Sequence, residues 1–174
     1  MRFYLWFFFF AMFFLCSCGN NNISHDIKIN TGKQIIFPDS LVNRLGNEQN
    51  TGIRIVSCIN GNCPKCLHEL KKWIEMKDKY HLKLVFVIYT EDKVLLDYFI
   101  EKEDLKISYF LDTTNCFILT NKLQSNNLFQ TFILDNSNKT ILIGNPLHNC
   151  ELFRLYLTEY EKAINKFTDE KNEK

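Results

Sequence analysis

The apolar positions of the chain switch between two periods. Ile53–Ile59, "IRIVSCI", is a short, mostly apolar run of the kind that forms a buried strand. From Cys63 to Lys79 the residues Leu67, Leu70, Trp73 and Ile74 recur at helical spacing, with lysines and glutamates between them. "LKLVFVIY" (Leu82–Tyr89) is the clearest strand, "DKVLLDYFIEKE" from Asp92 reads as a helix, and "KISYFL" from Lys106 as another strand. "FQTFILDNSNKTILIG" from Phe129 reads as a hairpin, two strands around the turn residues Asp135, Asn136, Ser137 and Asn138. "NCELFRLYLTEYEKAINKF" closes the pattern as an amphipathic helix, with Leu152, Tyr156, Tyr160, Ile164 and Phe167 along one face. A strand or short helix is expected ahead of all this, in "KQIIF" or "PDSLVNRLG", while Thr113–Asn127 carries no clear period. Strands alternating with helices predict a parallel or mixed sheet covered on both faces.

The first residues obey neither period. After Arg2 an unbroken apolar run extends from Phe3 to Cys16. It is too short to span a bilayer, which takes about 20 residues, and fits the apolar core of a secretory signal. "LCSC", ending at Cys18, resembles the bacterial lipoprotein box, in which the final cysteine is lipidated and becomes the new N-terminus. Four segments are therefore expected: a lipoprotein signal over 1–17, a flexible tether over 18–33, one folded domain over 34–168 and a disordered tail over 169–174. The protein is expected to be exported and anchored to a membrane through lipid on Cys18, facing the periplasm.

Removing the signal takes seven of the 16 phenylalanines and one charge, leaving 20 Lys+Arg against 20 Asp+Glu. A neutral chain without basic clusters offers nothing for nucleic acid. The remaining length is enough for one domain with an adequate core.

The chemistry concentrates in "VSCINGNCPKCLHELKKW" (Val56–Trp73), where Cys63-Pro64-Lys65-Cys66 forms C-x-x-C at a strand-to-helix junction. Residues i and i+3 of a first helical turn share one face, with Cβ atoms about 5–6 Å apart, and slight adjustment brings such a pair within disulfide reach. Pro64 suits the first turn because the N–H it lacks would be orphaned there. Cys63, close to the free N–H groups and positive end of the helix and to Lys65, is the expected attacking thiol; Cys66 is the resolving one. Lowering a thiol pKa from ~8.5 to ~6.5 raises its thiolate fraction at pH 7 about 25-fold. Intrinsic nucleophilicity falls about tenfold over the same interval. The environment thus tunes redox poise more than speed.

The element order with this pair after the first core strand resembles the thioredoxin-like superfamily. More narrowly it resembles the membrane-tethered TlpA/ResA-like thiol-disulfide oxidoreductases. The resemblance implies an α/β fold, a three-layer α/β/α sandwich with a mixed central sheet and an inserted helix-strand unit at about Asp92–Leu111. It also implies a role for Glu69, which matches the glutamate of a "CxxCxxE" pattern tied to proton handling at the resolving thiol. His68 has no counterpart in the pattern and reads as a surface residue. "GNPLHN" (Gly144–Asn149) and the "INGNC" approach to the cysteines are similar to motifs of small thioredoxin-like lipoproteins from Bacteroidetes-type bacteria.

Two positions depart from the family. Asn62 stands where a tryptophan usually precedes the motif, and Phe129 takes the place of a cis-proline that faces the disulfide. A non-proline cis bond costs about 2.5–4 kcal/mol, so a trans bond is expected, with an altered substrate-facing loop made of Pro64, Lys65 and Phe129.

The other cysteines, Cys58, Cys116 and Cys150, are isolated and supply no second ligand pair for zinc. Cys58 reads as a small core residue. Cys150 follows Asn149, an expected N-cap, and a disulfide among the three is open. Copper handling would use C-x-x-x-C, one residue longer, with His148 as a distal ligand.

The expected function is disulfide exchange with protein substrates and a redox partner protein through Cys63 and Cys66, with no metal and no other cofactor. The alternatives are a non-catalytic thioredoxin-fold binding or scaffold lipoprotein, and copper handling.

Overall fold

The computed structural model describes residues 31–44, 52–124 and 129–172. The expected signal, Cys18 and most of the tether lie outside the described residues. Among the described residues there are six strands and four helices, β1 (Val42–Arg44), β2 (Arg54–Asn60), α1 (Pro64–Tyr80), β3 (Leu84–Tyr89), α2 (Lys93–Lys102), β4 (Tyr109–Asp112), α3 (Cys116–Thr120), β5 (Thr131–Leu134), β6 (Thr140–Ile143) and α4 (Cys150–Asn172). The periodicity predicts all but α3, and leaves β1 open as strand or helix. A 3₁₀ turn, Pro146–His148, precedes α4.

The sheet order is β1-β4-β3-β2-β5-β6. The three central strands β2, β3 and β4 run parallel, while β1, β5 and β6 each pair antiparallel with a neighbour. The inserted unit is therefore α2 with β4, and β4 separates β3 from β1. The fold is thioredoxin-like, a mixed sheet between two layers.

Alternation along the strands assigns the layers. Ile55 and Ile59 of β2 and Leu84, Phe86 and Ile88 of β3 face α1, α2 and α4, meeting Leu67, Leu70, Trp73, Leu96, Leu152, Tyr156 and Tyr160. Val56, Val85, Val87, Phe110 and Phe132 face the other way, against Phe117 of α3 and the extended segment that carries Ile35, Phe37 and Leu41. One face thus carries three helices, and the other a five-residue helix and a strap of chain.

The segment without a clear period is explained by its cap. The carboxylate of Asp112 accepts from the backbone N–H groups of Cys116 at 3.0 Å and Phe117 at 2.9 Å, so the last residue of β4 starts α3. Asn115, just ahead of the helix, makes no side-chain cap bond.

Both ends of the expected domain extend further than the sequence reading placed them. Lys33 already bonds β6, its N–H donating to Thr140 Oγ1 at 2.9 Å. α4 runs on through Asn172, four residues into the segment expected as a disordered tail. "TDEKN" contains no glycine or proline to stop a helix that tertiary packing has already nucleated.

Candidate functional site

Cys63 and Cys66 stand where β2 hands the chain to α1, at the carboxyl ends of the parallel strands. Cys63 is the N-cap of α1, with φ −109° and ψ 110°, and Pro64 opens the helix. The Cys63 Sγ accepts from the backbone N–H of Cys66 at 3.3 Å. This is a sulfur version of the side-chain cap that serine or aspartate gives elsewhere. The two residues are half-buried, and Pro64 and Lys65 are exposed beside them.

This geometry splits the acidity of the pair. Cys63 is held below the ordinary thiol value, first by the side-chain hydrogen bond from Cys66, then by the backbone N–H groups of Cys66 and Lys65. Lys65 thus contributes through its backbone. Cys66 is pushed up to about 12, first by burial and then by donating its own proton toward Cys63. The charge of Glu69 raises both thiols. Glu69, half-buried one turn beyond Cys66, is therefore close enough to feel both. His68 is exposed on the same helix.

The loop before Cys63 holds residues whose part the sequence reading missed. Asn62 Oδ1 accepts from Thr90 Oγ1 at 2.9 Å and from the Glu91 N–H at 3.1 Å. Gly61 donates to the Tyr89 carbonyl at 2.7 Å. A Cβ on Gly61 would lie 3.0 Å from both Thr90 Cβ and the Tyr89 carbonyl oxygen. The glycine is required by this close approach. The signal available in the sequence was the polar "NGN" directly before Cys63; its partners, about 30 residues away, were invisible there.

Phe129 is half-buried and packs against the second-face cluster with Cys58, Cys116 and Leu123. It precedes Gln130, whose carbonyl accepts from the Cys58 N–H at 2.9 Å. Among the described residues no peptide bond is cis.

The remaining described cysteines are free thiols. Cys58 turns into the second-face cluster, and burial, reinforced by the Asp112 carboxylate, pushes its thiol far up. Cys116 Sγ donates to Asp112 Oδ1 at 3.3 Å and lies 3.2 Å from Ser40 Oγ. Cys150 is exposed in the first turn of α4, which Asn149 caps by accepting from the Leu152 N–H at 2.9 Å. Among the described residues no three His, Cys, Asp or Glu side chains gather as a metal site, and no helix is long and apolar enough to cross a membrane. A cleft of about 440 Å³, lined by Ile53, Ile141, Lys162 and Phe167 among others, opens beside the start of β2, at the other end of that strand from the cysteines.

No protein-family model matches the chain, and no curated protein does. Solved structures do. A Chlorobium tepidum protein assigned as the thiol:disulfide interchange protein DsbE is 12% identical with a TM-score of 0.56, covering 75% of this chain and 98% of its own. A thioredoxin-like protein from Porphyromonas gingivalis is 20% identical with a TM-score of 0.53, covering 77% and 94%. The thioredoxin domain of a Bacteroides vulgatus thiol-disulfide oxidoreductase is 11% identical with a TM-score of 0.50, covering 80% and 98%. At these identities the likeness is one of fold.

Proposed function

We propose that this chain is a lipid-anchored, extracytoplasmic thiol-disulfide oxidoreductase that exchanges disulfides with protein substrates through Cys63 and Cys66. One observation carries the reading: Cys63 caps α1, held below the ordinary thiol value, beside a Cys66 pushed up to about 12. That is the division of labour exchange requires.

In the reducing direction the Cys63 thiolate attacks one sulfur of a substrate disulfide, and the other substrate sulfur leaves as a thiolate that takes a proton from solvent. Cys66 then gives up its proton and attacks Cys63 Sγ. The Cys63–Cys66 disulfide forms, the second substrate thiolate departs, and two electrons have moved from the pair to the substrate. Glu69, whose charge is felt at both thiols, is the proposed acceptor of the Cys66 proton. The reverse sequence oxidises a substrate dithiol. Pro64 and Lys65, beside the thiols, together with Phe129 are the proposed substrate-facing residues, and lipid on Cys18 would hold the domain at the membrane.

The second reading, a binding or scaffold lipoprotein, is favoured by Phe129, which packs into the second-face cluster where the family places a cis-proline. Equilibrating the full-length protein in graded glutathione and dithiothreitol buffers, alkylating, and reading the Cys63 and Cys66 peptides by mass spectrometry separates the two. Exchange requires a two-electron transition between about −120 and −300 mV, the span of known exchange proteins. A pair that never closes, or never opens, leaves the scaffold reading.

A further inference from the structure

We propose that Asn62 is a positioning residue for Cys63: its side-chain carbonyl clamps the loop that carries the reactive thiol to the junction between β3 and α2. The functional consequence rests on the exchange reading above. The geometry does not.

The four residues from Asn60 to Cys63 are tied at every position. The Asn62 N–H donates to Asn60 Oδ1 at 3.0 Å. Gly61 is drawn onto Tyr89, and the Cys63 N–H reaches the Asn60 carbonyl at 3.2 Å. The long-range anchor is Asn62 Oδ1, on which the Thr90 hydroxyl and the Glu91 N–H converge. Asn62 itself is exposed, but Thr90 is 1% exposed and donates its backbone N–H to the Asp112 carbonyl at 3.1 Å. The reactive thiol is thereby fastened, through one exposed amide, to a buried residue at the rim of the central sheet.

An amide oxygen with two lone pairs can receive both donors, whereas an indole only donates. Asparagine therefore performs a task here that the usual tryptophan cannot. The clamp matters because the Cys63 cap bond depends on the backbone dihedrals of Cys63, one residue further on. Freeing Asn62 lets those dihedrals drift away from the Cys66 N–H. The thiolate then loses stabilisation, and with it the reduced form of the pair.

The test is the pH dependence of iodoacetamide alkylation at Cys63, read by peptide mass spectrometry on the reduced full-length protein. The variants are Asn62→Ala, Thr90→Val, Thr90→Ser and the double variant Asn62→Ala/Thr90→Val. Asn62→Ala is expected to move the Cys63 titration upward and slow alkylation at about pH 6.5 by about threefold or more. Thr90→Val, which keeps the side-chain shape, moves it the same way, and Thr90→Ser, which keeps the hydroxyl, restores it. Both changes remove the Thr90–Asn62 bond, while Asn62→Ala also frees the Glu91 N–H and Thr90→Val also frees Asp92, so the slowing in the double variant is less than additive. Unchanged titrations in both single variants, or fully additive slowing in the double, overturn the clamp. Alkylation needs no exchange partner. An unaltered protein whose Cys63–Cys66 pair never closes or never opens in the redox buffers therefore sinks the exchange reading, while the alkylation series still decides the clamp.

Discussion

The acidity split between the two thiols gives the sharpest quantitative expectation. Cys63 is held below the ordinary thiol value of ~8.5 and Cys66 is pushed up to about 12, so the two are separated by about three pH units or more. At about pH 8 the thiolate population of Cys63 exceeds that of Cys66 by about a thousandfold. The more basic Cys66 thiolate is intrinsically more nucleophilic by about thirtyfold over the same interval, with a Brønsted slope of ~0.5. The net initial alkylation rate should favour Cys63 by about thirtyfold. The perturbation is a limiting dose of iodoacetamide on the fully reduced protein, and the assay is the early-time yield on each cysteine peptide. Early times matter, because alkylating Cys63 removes the hydrogen bond and charge that help hold Cys66 up. Glu69→Gln extends the test. Its charge raises both thiols, so its removal should shift both titrations downward and speed Cys63 alkylation near pH 6.5. Comparable early rates at Cys63 and Cys66 would refute the reasoning, because buried and capped thiols of such different acidity cannot react alike.

Two further outcomes concern stability. Cys58 has a folded pKa raised by burial, so its contribution is complete below the unfolded thiol value. It is lost as pH rises above that value toward the folded one; unfolding free energy should fall by up to about 1.4 kcal/mol per pH unit above about pH 9, and Cys58→Ala should flatten that slope in urea titrations followed by circular dichroism. Gly61→Ala should cost about 1–3 kcal/mol by overpacking, since its Cβ would meet Thr90 Cβ and the Tyr89 carbonyl at 3.0 Å. An unchanged urea midpoint would mean that the loop can withdraw from β3.

The element order was legible because it is local. Leu67, Leu70 and Trp73 recur at helical spacing and are buried on α1; Leu84–Tyr89 is a nearly continuous apolar run and forms the strand between β2 and β4. Cys63, Pro64 and Cys66 announced the first turn of a helix for the same reason, since an i, i+3 pair and a proline act within four residues. The short α3 was not legible, because its acceptor is Asp112 on the preceding strand and not the residue next to the helix. Asn62 looked like a missing tryptophan until Thr90 and Glu91 were found on its oxygen.

Apart from β1 and α3, the sequence by itself determined which segments are strands and helices, and that a cysteine pair opens the first long helix, because periodicity is a property of neighbouring residues. Only the tertiary structure decided that β4 lies between β3 and β1, that three helices share one face, and that Cys58 turns into the opposite one. It also supplied the burial that pushes the Cys66 thiol up. Burial and hydrogen bonds between residues about 30 positions apart exist only once the sheet has assembled.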